Sequence, residues 1–424
     1  MNLIADLQIH SRFSRATSPS ITLTNLEKYA RLKGINLLGT GDFTHPKWLA
    51  ELKSELKEDG SGILASKSGF KFVLQGEISN IYTQDGKARR IHTLLLARNF
   101  EVVDQINKAL LKKGRLDYDG RPIFGFSCIE LVEMMKEIDD GIEIIPAHAW
   151  TPWYGIFGSM SGFDSVEECF KERSKHIHAI ETGLSSDPAM NWRLSKLDKY
   201  TLLSSSDAHS FWPWRLGREA NVFDIELSYD ALLNAIRKRK GFVETIEMWP
   251  HEGKYHYTGH RNCNVVLSPT EALKLKNICP KCGNKLTVGV AQRVELLADR
   301  PEGFVPENAV PFKNLIPLSE VIAGTIGEKV ESKNVWEEYY KLTNTFGNEF
   351  EVVLNAEEEK LRKITTEKIT DNIIRNRNQK IPFKPGYDGV YGVPIFDEND
   401  LKEYKEEKEK IKSKIEQKGL DEFW

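Results

Sequence analysis

Residues 201–210 read TLLSSSDAHS. An apolar triplet followed by small polar residues and an Asp-x-His pair has the pattern of a short strand ending in two metal-ligand side chains. In extended chain, residues two apart share a face. Asp207 and His209 therefore offer a carboxylate oxygen and an imidazole side by side, a set that suits zinc, manganese or iron. The N-terminus repeats the spacing: ADLQIH (5–10) places Asp6, Gln8 and His10 on one face. Outward from these two segments, INLLGTGDF (35–43), FKFVLQGEI (70–78), RRIHTLLLA (89–97), IEIIPAHAW (142–150) and IHAIETG (177–183) also read as strands. Between several of them lie helical patterns. One is TLTNLEKYARLKG (22–34), with Thr22 or Thr24 as cap and Gly34 as stop. This alternation predicts an α/β fold with a mostly parallel sheet, open or closed into a barrel. His10, Asp42, Glu77, His92, His148, Glu181, Asp207 and His209 fall at predicted strand ends. In parallel α/β folds those ends converge on one mouth, where active sites form. A lone histidine is more often structural, but packing alone gives no reason for strands to end repeatedly in His, Asp or Glu.

A chain of 424 residues is too long for one core and implies at least two domains. Its hydrophobic content of 40% and charged content of 29% indicate a soluble globular protein. The net charge of −3 gives no global basic signature, so nucleic-acid contact would need local basic patches. No signal peptide or membrane span is visible, and the expected location is cytoplasmic. Abundant Lys and Glu with little Gln hint at a thermophile. Five cysteines that include a CxxC pair point to a metal site in a reducing compartment. The expected division is a catalytic region over 1–245, a zinc-binding module over 246–290, a mainly helical DNA-contacting region over 291–412 and a tail over 413–424.

The cysteine module is HEGKYHYTGHRNC (251–263) followed by CPKC (279–282). His260, Cys263, Cys279 and Cys282 have the spacing of a structural zinc site, with His256 or His251 as substitutes for His260. Such an ion would fold a module that has little core of its own. Cys128 and Cys169 read as ordinary core residues.

DLQIHS (6–11), TGDFTH (40–45), GEIS (76–79), RRIH (89–92), PAHAW (146–150) and SSSDAHS (204–210) together resemble the motifs of the polymerase-and-histidinol-phosphatase family of metal-dependent phosphoesterases. The resemblance implies a distorted (β/α)7 barrel with two or three divalent metals (zinc, manganese or magnesium) at its mouth. The ligand set it implies is Gln8, His10, Asp42, His45, Glu77, His92, His148, Glu181, Asp207 and His209. Asp207, Glu77, His10 and His148 are the implied catalytic centre. Two departures stand out: Gln8 occupies the place of a family histidine, and Phe43 follows Asp42 where another is expected. Paired metals of this kind activate a water and stabilise both oxygens of a phosphodiester displacement.

AWTPWYGIF (149–157) and SFWPWR (210–215) follow two of the candidate ligands. They make Trp150, Trp153, Tyr154, Phe211, Trp212 and Trp214 candidates for stacking on an extruded base. Arg89, Arg90 and Arg215 are candidate phosphate contacts. Basic runs at 237–241 and 373–380, with Arg375 and Arg377, are candidate backbone contacts, as are Tyr387 and Tyr391 in GYDGVYG (386–392). The C-terminal QKGLDEFW (417–424) resembles a sliding-clamp-binding peptide, with Gln417, Leu420, Phe423 and Trp424 as its contacts.

The whole layout resembles the endonuclease Q family of archaeal DNA-lesion endonucleases. That resemblance implies hydrolysis on the 5′ side of deaminated bases (uracil, hypoxanthine, xanthine) and abasic sites, on double-stranded DNA, by a monomer that docks on the sliding clamp. The alternatives are a small-molecule phosphatase of the same barrel family and a non-catalytic DNA-binding adaptor.

Overall fold

The computed structural model describes residues 2–406, 408 and 409. The tail residues Gln417, Leu420, Phe423 and Trp424 lie outside them. The main strands are β1 (Leu3–Asp6), β2 (Leu37–Gly39), β3 (Lys71–Gln84), β4 (Lys87–Ala97), β5 (Glu143–Pro146), β6 (Ala179–Glu181), β7 (Thr201–Leu203), β8 (Ala220–Phe223), β9 (Phe242–Glu247) and β10 (Phe312–Asn314). Strands β1–β2, β2–β3, β6–β7 and β9–β10 pair in parallel. Strands β1–β8, β8–β9, β3–β4 and β4–β5 pair antiparallel.

The sheet is thus mixed, which corrects the expectation of a mostly parallel one. One cause is β8, antiparallel to both β1 and β9; the other is the long β3–β4 hairpin, which runs in unbroken register from Leu74↔Ala97 to Gln84↔Lys87. It turns at Asp85 and Gly86, both at positive φ (52° and 72°), the conformation whose twist matches a two-residue hairpin. The same hairpin corrects a second expectation. Glu77 and His92 lie inside their strands, not at strand ends, because the hairpin continues beyond the site.

Strand β6 adjoins β5 through the Ala149 N–H, which donates to Glu181 O at 3.0 Å. After β7 the chain returns to β1 by an Ile9–Ala208 bridge. The run of neighbours therefore comes back to its start and gathers the candidate ligands at one end. Local chemistry sets the flanking helices. The Thr22 hydroxyl accepts the Asn25 N–H at 3.1 Å to cap Leu23–Lys33, and Gly34 closes it at a φ of 103°, which a β-carbon would strain. No helix among the described residues is long and apolar enough to cross a membrane.

The C-terminal region is knitted into this scaffold. Strand β10 extends the sheet beside β9. The fully buried Lys33 ammonium meets Glu349 at 2.6 Å and donates to Pro213 O at 2.8 Å. Glu349 also accepts the Tyr339 hydroxyl at 2.8 Å and the Leu318 N–H at 2.9 Å. Trp336 packs on Trp212 and Trp214, which stack with an interplanar angle of 8°. One hydrophobic core runs from Ile9 to Phe396. A separate small cluster, Val265, Leu267, Ala272, Cys279 and Leu286, supports the cysteine module.

Removing one partner of a buried ion pair strands the other charge, at a cost of about 3–5 kcal/mol. Glu349→Ala is expected to lower the urea-unfolding midpoint by a corresponding amount, and Glu349→Gln by less, because the amide still accepts from Lys33.

Candidate metal centre

His10 is the hub of the site. Its Nδ1 lies 2.9 Å from Asp42 Oδ1, and its Nε2 lies 3.0 Å from both Glu77 Oε2 and Asp207 Oδ1. His10, Asp42 and Glu77 are completely buried. Burial opposes charge on the imidazole, but the three carboxylates outweigh it and hold the His10 pKa well above its ordinary value. Burial likewise opposes ionisation of Glu77, yet Arg121 and His92 hold its pKa well below the usual range. Asp207 is lowered in the same way, against burial, by His10 and His209.

Two donor groups emerge. Glu77, His92 and His148 bring ligand atoms within 4.8 Å of one another, and so do His10, Asp207 and His209. His92 Nδ1 stands 2.8 Å from Glu77 Oε1 and 3.1 Å from His148 Nε2. Three of the candidate ligands carry a left-handed backbone: Asp42 (φ 41°), His148 (φ 32°) and Asp207 (φ 49°). Non-glycine residues rarely adopt it, and such strain clusters at functional sites. Asp6 sustains it at Asp207 by accepting the Ser206 N–H at 3.0 Å, the Ser206 hydroxyl at 2.5 Å and the Gly217 N–H at 2.9 Å.

The donor set fits divalent metals. It mixes imidazole nitrogens with carboxylate oxygens, the combination that binds zinc or manganese. Gln8 adds a sharper test. It is fully buried, and neither its Oε1 nor its Nε2 has a hydrogen-bond partner among the described residues. An unpaired buried amide costs about 1–3 kcal/mol unless something satisfies it, and a cation beside Oε1 would.

The remaining predicted ligands lie outside these two donor groups. Asp42 accepts from the Ser11 N–H at 2.6 Å, the Ser11 hydroxyl at 2.7 Å and the Ser14 hydroxyl at 2.9 Å, so it orients His10. His45 stacks on Phe13 at 4.4 Å and heads the helix Pro46–Glu55, outside both groups. Glu181 accepts the His148 N–H at 3.1 Å and also lies outside them; burial raises its pKa to about 8.

The two groups open into a cavity of about 580 Å³. Trp153, Tyr154, His209, Arg215 and Tyr391 are among the candidate site residues that line it. Tyr154 packs over His92 at 4.3 Å. Four predicted aromatics are absent from its lining. Trp150 is buried and donates to Asn191 Oδ1 at 2.8 Å, Phe211 stacks on Tyr29, and Trp212 and Trp214 join Trp336. They are core residues because the loops after His148 and Asp207 fold back onto the protein. Arg89 is buried, lying over the Phe163 ring and donating to Gly162 O, whereas Arg90 on the opposite face is exposed. Arg375 donates to Asn372 and Phe396 O, and Arg377 to Val353 O and Val352 O, so both hold protein backbone. Tyr387 pairs through its backbone with Tyr257. The sequence reading missed Arg121, Arg218, Lys254 and Tyr255 in the lining. None is itself of a ligand type, and only tertiary placement reveals them.

Away from the cavity, His260, Cys263, Cys279 and Cys282 converge within 4.8 Å, with Cys282 Sγ 3.3 Å from His260 Nδ1. His251 and His256 instead stack on each other at 4.4 Å.

The structure of a lesion-specific endonuclease from Pyrococcus furiosus, PfuEndoQ, is 33% identical, with a TM-score of 0.85, 95% of this chain and 97% of that one being covered. The chain belongs to the endonuclease Q family. This is a family of metal-dependent DNA endonucleases. A structure of endonuclease Q with a 27-mer duplex bearing an abasic lesion at the active site is similarly close, at 32% identity and a TM-score of 0.84 over 94% of this chain and 98% of that one. The YqxK protein of Bacillus subtilis is 28% identical over 92% of this chain and 98% of its own. MJ0043 of Methanocaldococcus jannaschii is 36% identical over 61% of this chain, which spans about a third of MJ0043's length. Residues 317–380 match the family model described as the MJ0043 C-terminal domain.

Beneath the site, burial raises the Glu247 carboxyl to about 8 despite donation from Thr245 and Thr182. The native state then keeps a proton that the unfolded chain releases near its ordinary pKa of 4.5. Stability should fall as pH rises from about 4.5 to about 8. Glu247→Gln is expected to flatten that fall, as measured by urea midpoints across the range.

Proposed function

We propose that this family member nicks double-stranded DNA on the 5′ side of deaminated bases (uracil, hypoxanthine, xanthine) and abasic sites, leaving 3′-hydroxyl and 5′-phosphate ends. The observation that carries the reading is the pair of donor groups joined through His10 at the floor of a cavity with aromatic and cationic walls. Likeness to a lesion-bound endonuclease Q over nearly the whole chain supports it.

In this reading, the ring of strands is the distorted (β/α)7 barrel of the phosphoesterases, spanning residues 1–245. Gln8, His10, Glu77, His92, His148, Asp207 and His209 hold two or three divalent metals. When bound, these would supply an activated water and charge stabilisation for the phosphodiester oxygens. The protein's own contributions are distinct. Asp42 fixes the His10 tautomer and ring orientation. Asp6 fixes the loop that carries Asp207. Trp153, Tyr154 and Tyr255 wall the space for an extruded nucleotide. His260, Cys263, Cys279 and Cys282 hold a structural zinc that secures the small module around residues 246–290. The enzyme acts as a monomer at the nucleoid in the cytoplasm and docks on the sliding clamp through residues 417–424.

A nicking assay on a uracil-containing duplex, run beside histidinol phosphate and nucleotide monophosphates, tests the reading. Turnover of the small esters alone would overturn it, and so would zinc in the cysteine module with no metal at the barrel mouth.

Asp207→Ala is expected to slow nicking by at least about 10³-fold, the scale of the several kcal/mol a metal site supplies, while duplex affinity changes little. Equal loss of both would make Asp207 structural. Leu420→Ala combined with Phe423→Ala is expected to leave basal nicking intact and to abolish stimulation by the clamp, measured with and without clamp.

A further inference from the structure

The segment Asp119–Gly120–Arg121–Pro122 carries no ligand motif, yet it is built against the metal centre. The Gly120 N–H donates to Phe13 O at 3.0 Å, and Gly120 O accepts the Thr44 hydroxyl at 3.0 Å. A side chain at Gly120 would collide with the Asp42 carboxylate and the Ser14 hydroxyl. Asp119 accepts the Arg121 N–H at 3.2 Å and pairs with Arg15 at 3.2 Å. Pro122 O accepts the Ser79 N–H at 3.0 Å, which ties the segment to β3 two residues beyond Glu77.

The side chain that this clamp presents is Arg121. Its Nη1 lies 3.3 Å from Glu77 Oε2 and 3.5 Å from His10 Nε2, and the residue lines the cavity beside Asp207. The other lining arginines differ. Arg218 turns toward Glu252 at 3.7 Å and toward the Met248 sulfur, and Arg215 forms no ion pair with the donor groups among the described residues. Among the described residues, the Arg121 guanidinium donates only through Nη1, which leaves Nε and Nη2 for a further acceptor on a residue that lines the cavity. A guanidinium presented beside carboxylate and imidazole ligands matches a phosphate with two parallel hydrogen bonds, which an ammonium cannot reproduce.

We propose that Arg121 grips the non-bridging oxygens of the phosphate at the nick and registers it over the donor groups. This rests on the nicking activity proposed above. The competing role is charge balance alone, with Arg121 merely neutralising Glu77 and Asp207.

The test uses the full chain loaded with manganese. Fluorescence anisotropy would compare its affinity for two nicked duplexes with uracil on the 5′-terminal nucleotide at the nick, one bearing a 5′-phosphate and the other a 5′-hydroxyl. The wild type is expected to prefer the phosphate by at least about tenfold, the scale of one charge-assisted contact. Arg121→Gln is expected to lose that preference. Arg121→Lys keeps the charge, so it is expected to retain bound metal and still lose most of the preference. Full preference in Arg121→Lys, or in a metal-loaded Arg121→Gln, would overturn the assignment and leave charge balance as the role. If the wild type fails to nick uracil-containing duplex, the proposed activity falls. If it nicks and the variants keep their phosphate preference, only the Arg121 assignment falls.

Discussion

A single imidazole organises this protein. His10 is enclosed by Asp42, Glu77 and Asp207, which arrive from three separate segments of the chain. An isolated carboxylate removed from water costs several kcal/mol, and three of them around one ring cost more unless cations share the space. The fold therefore has to bring positive charge to the same point. It does so with His10, with Arg121 and through a donor set suited to divalent metals. Much of the surrounding architecture serves to hold these like charges together: serines on Asp42, Ser206 and Gly217 on Asp6, and left-handed backbone at three positions.

How far this was legible in the sequence follows from the distance over which each constraint acts. The Asp-x-His and Gln-x-His spacings are local, and they mark the segments just after two strands, Leu3–Asp6 and Thr201–Leu203, that bring His10, Asp207 and His209 together. The His260–Cys282 cluster was legible for the same reason, since two short knuckles define it. The direction of pairing was harder. Residues 71–97 read as two strands, and only the Asp85–Gly86 turn between them makes the pair antiparallel.

The aromatics divide along similar lines. Trp150, Phe211, Trp212 and Trp214 stand next to ligands in sequence, and adjacency suggested a shared pocket. The chain reverses immediately after His148 and Asp207, so neighbours in sequence point into the core. Tyr255 and Lys254, about a hundred residues from His148, reach the cavity instead. Arg121 was invisible for the complementary reason. An arginine after a glycine has no periodicity to betray it, and its meaning lies in the carboxylates it meets from other strands.

The join between β9 and β10, together with the Lys33–Glu349 pair, bears on how the molecule is made. During synthesis the last predicted barrel ligand leaves the ribosome at residue 209, but the edge strand beside β9 does not exist until residue 314. The counter-charge for Lys33 arrives later still, at residue 349. Domains of a growing chain usually fold from the N-terminus forward. Here the N-terminal region must wait with a buried-type lysine unmatched and the Trp212–Trp214 stack uncovered by Trp336. The donor set therefore reaches its final rigidity late in translation, so a chain truncated before residue 349 would carry every barrel ligand without the framework that holds them in place.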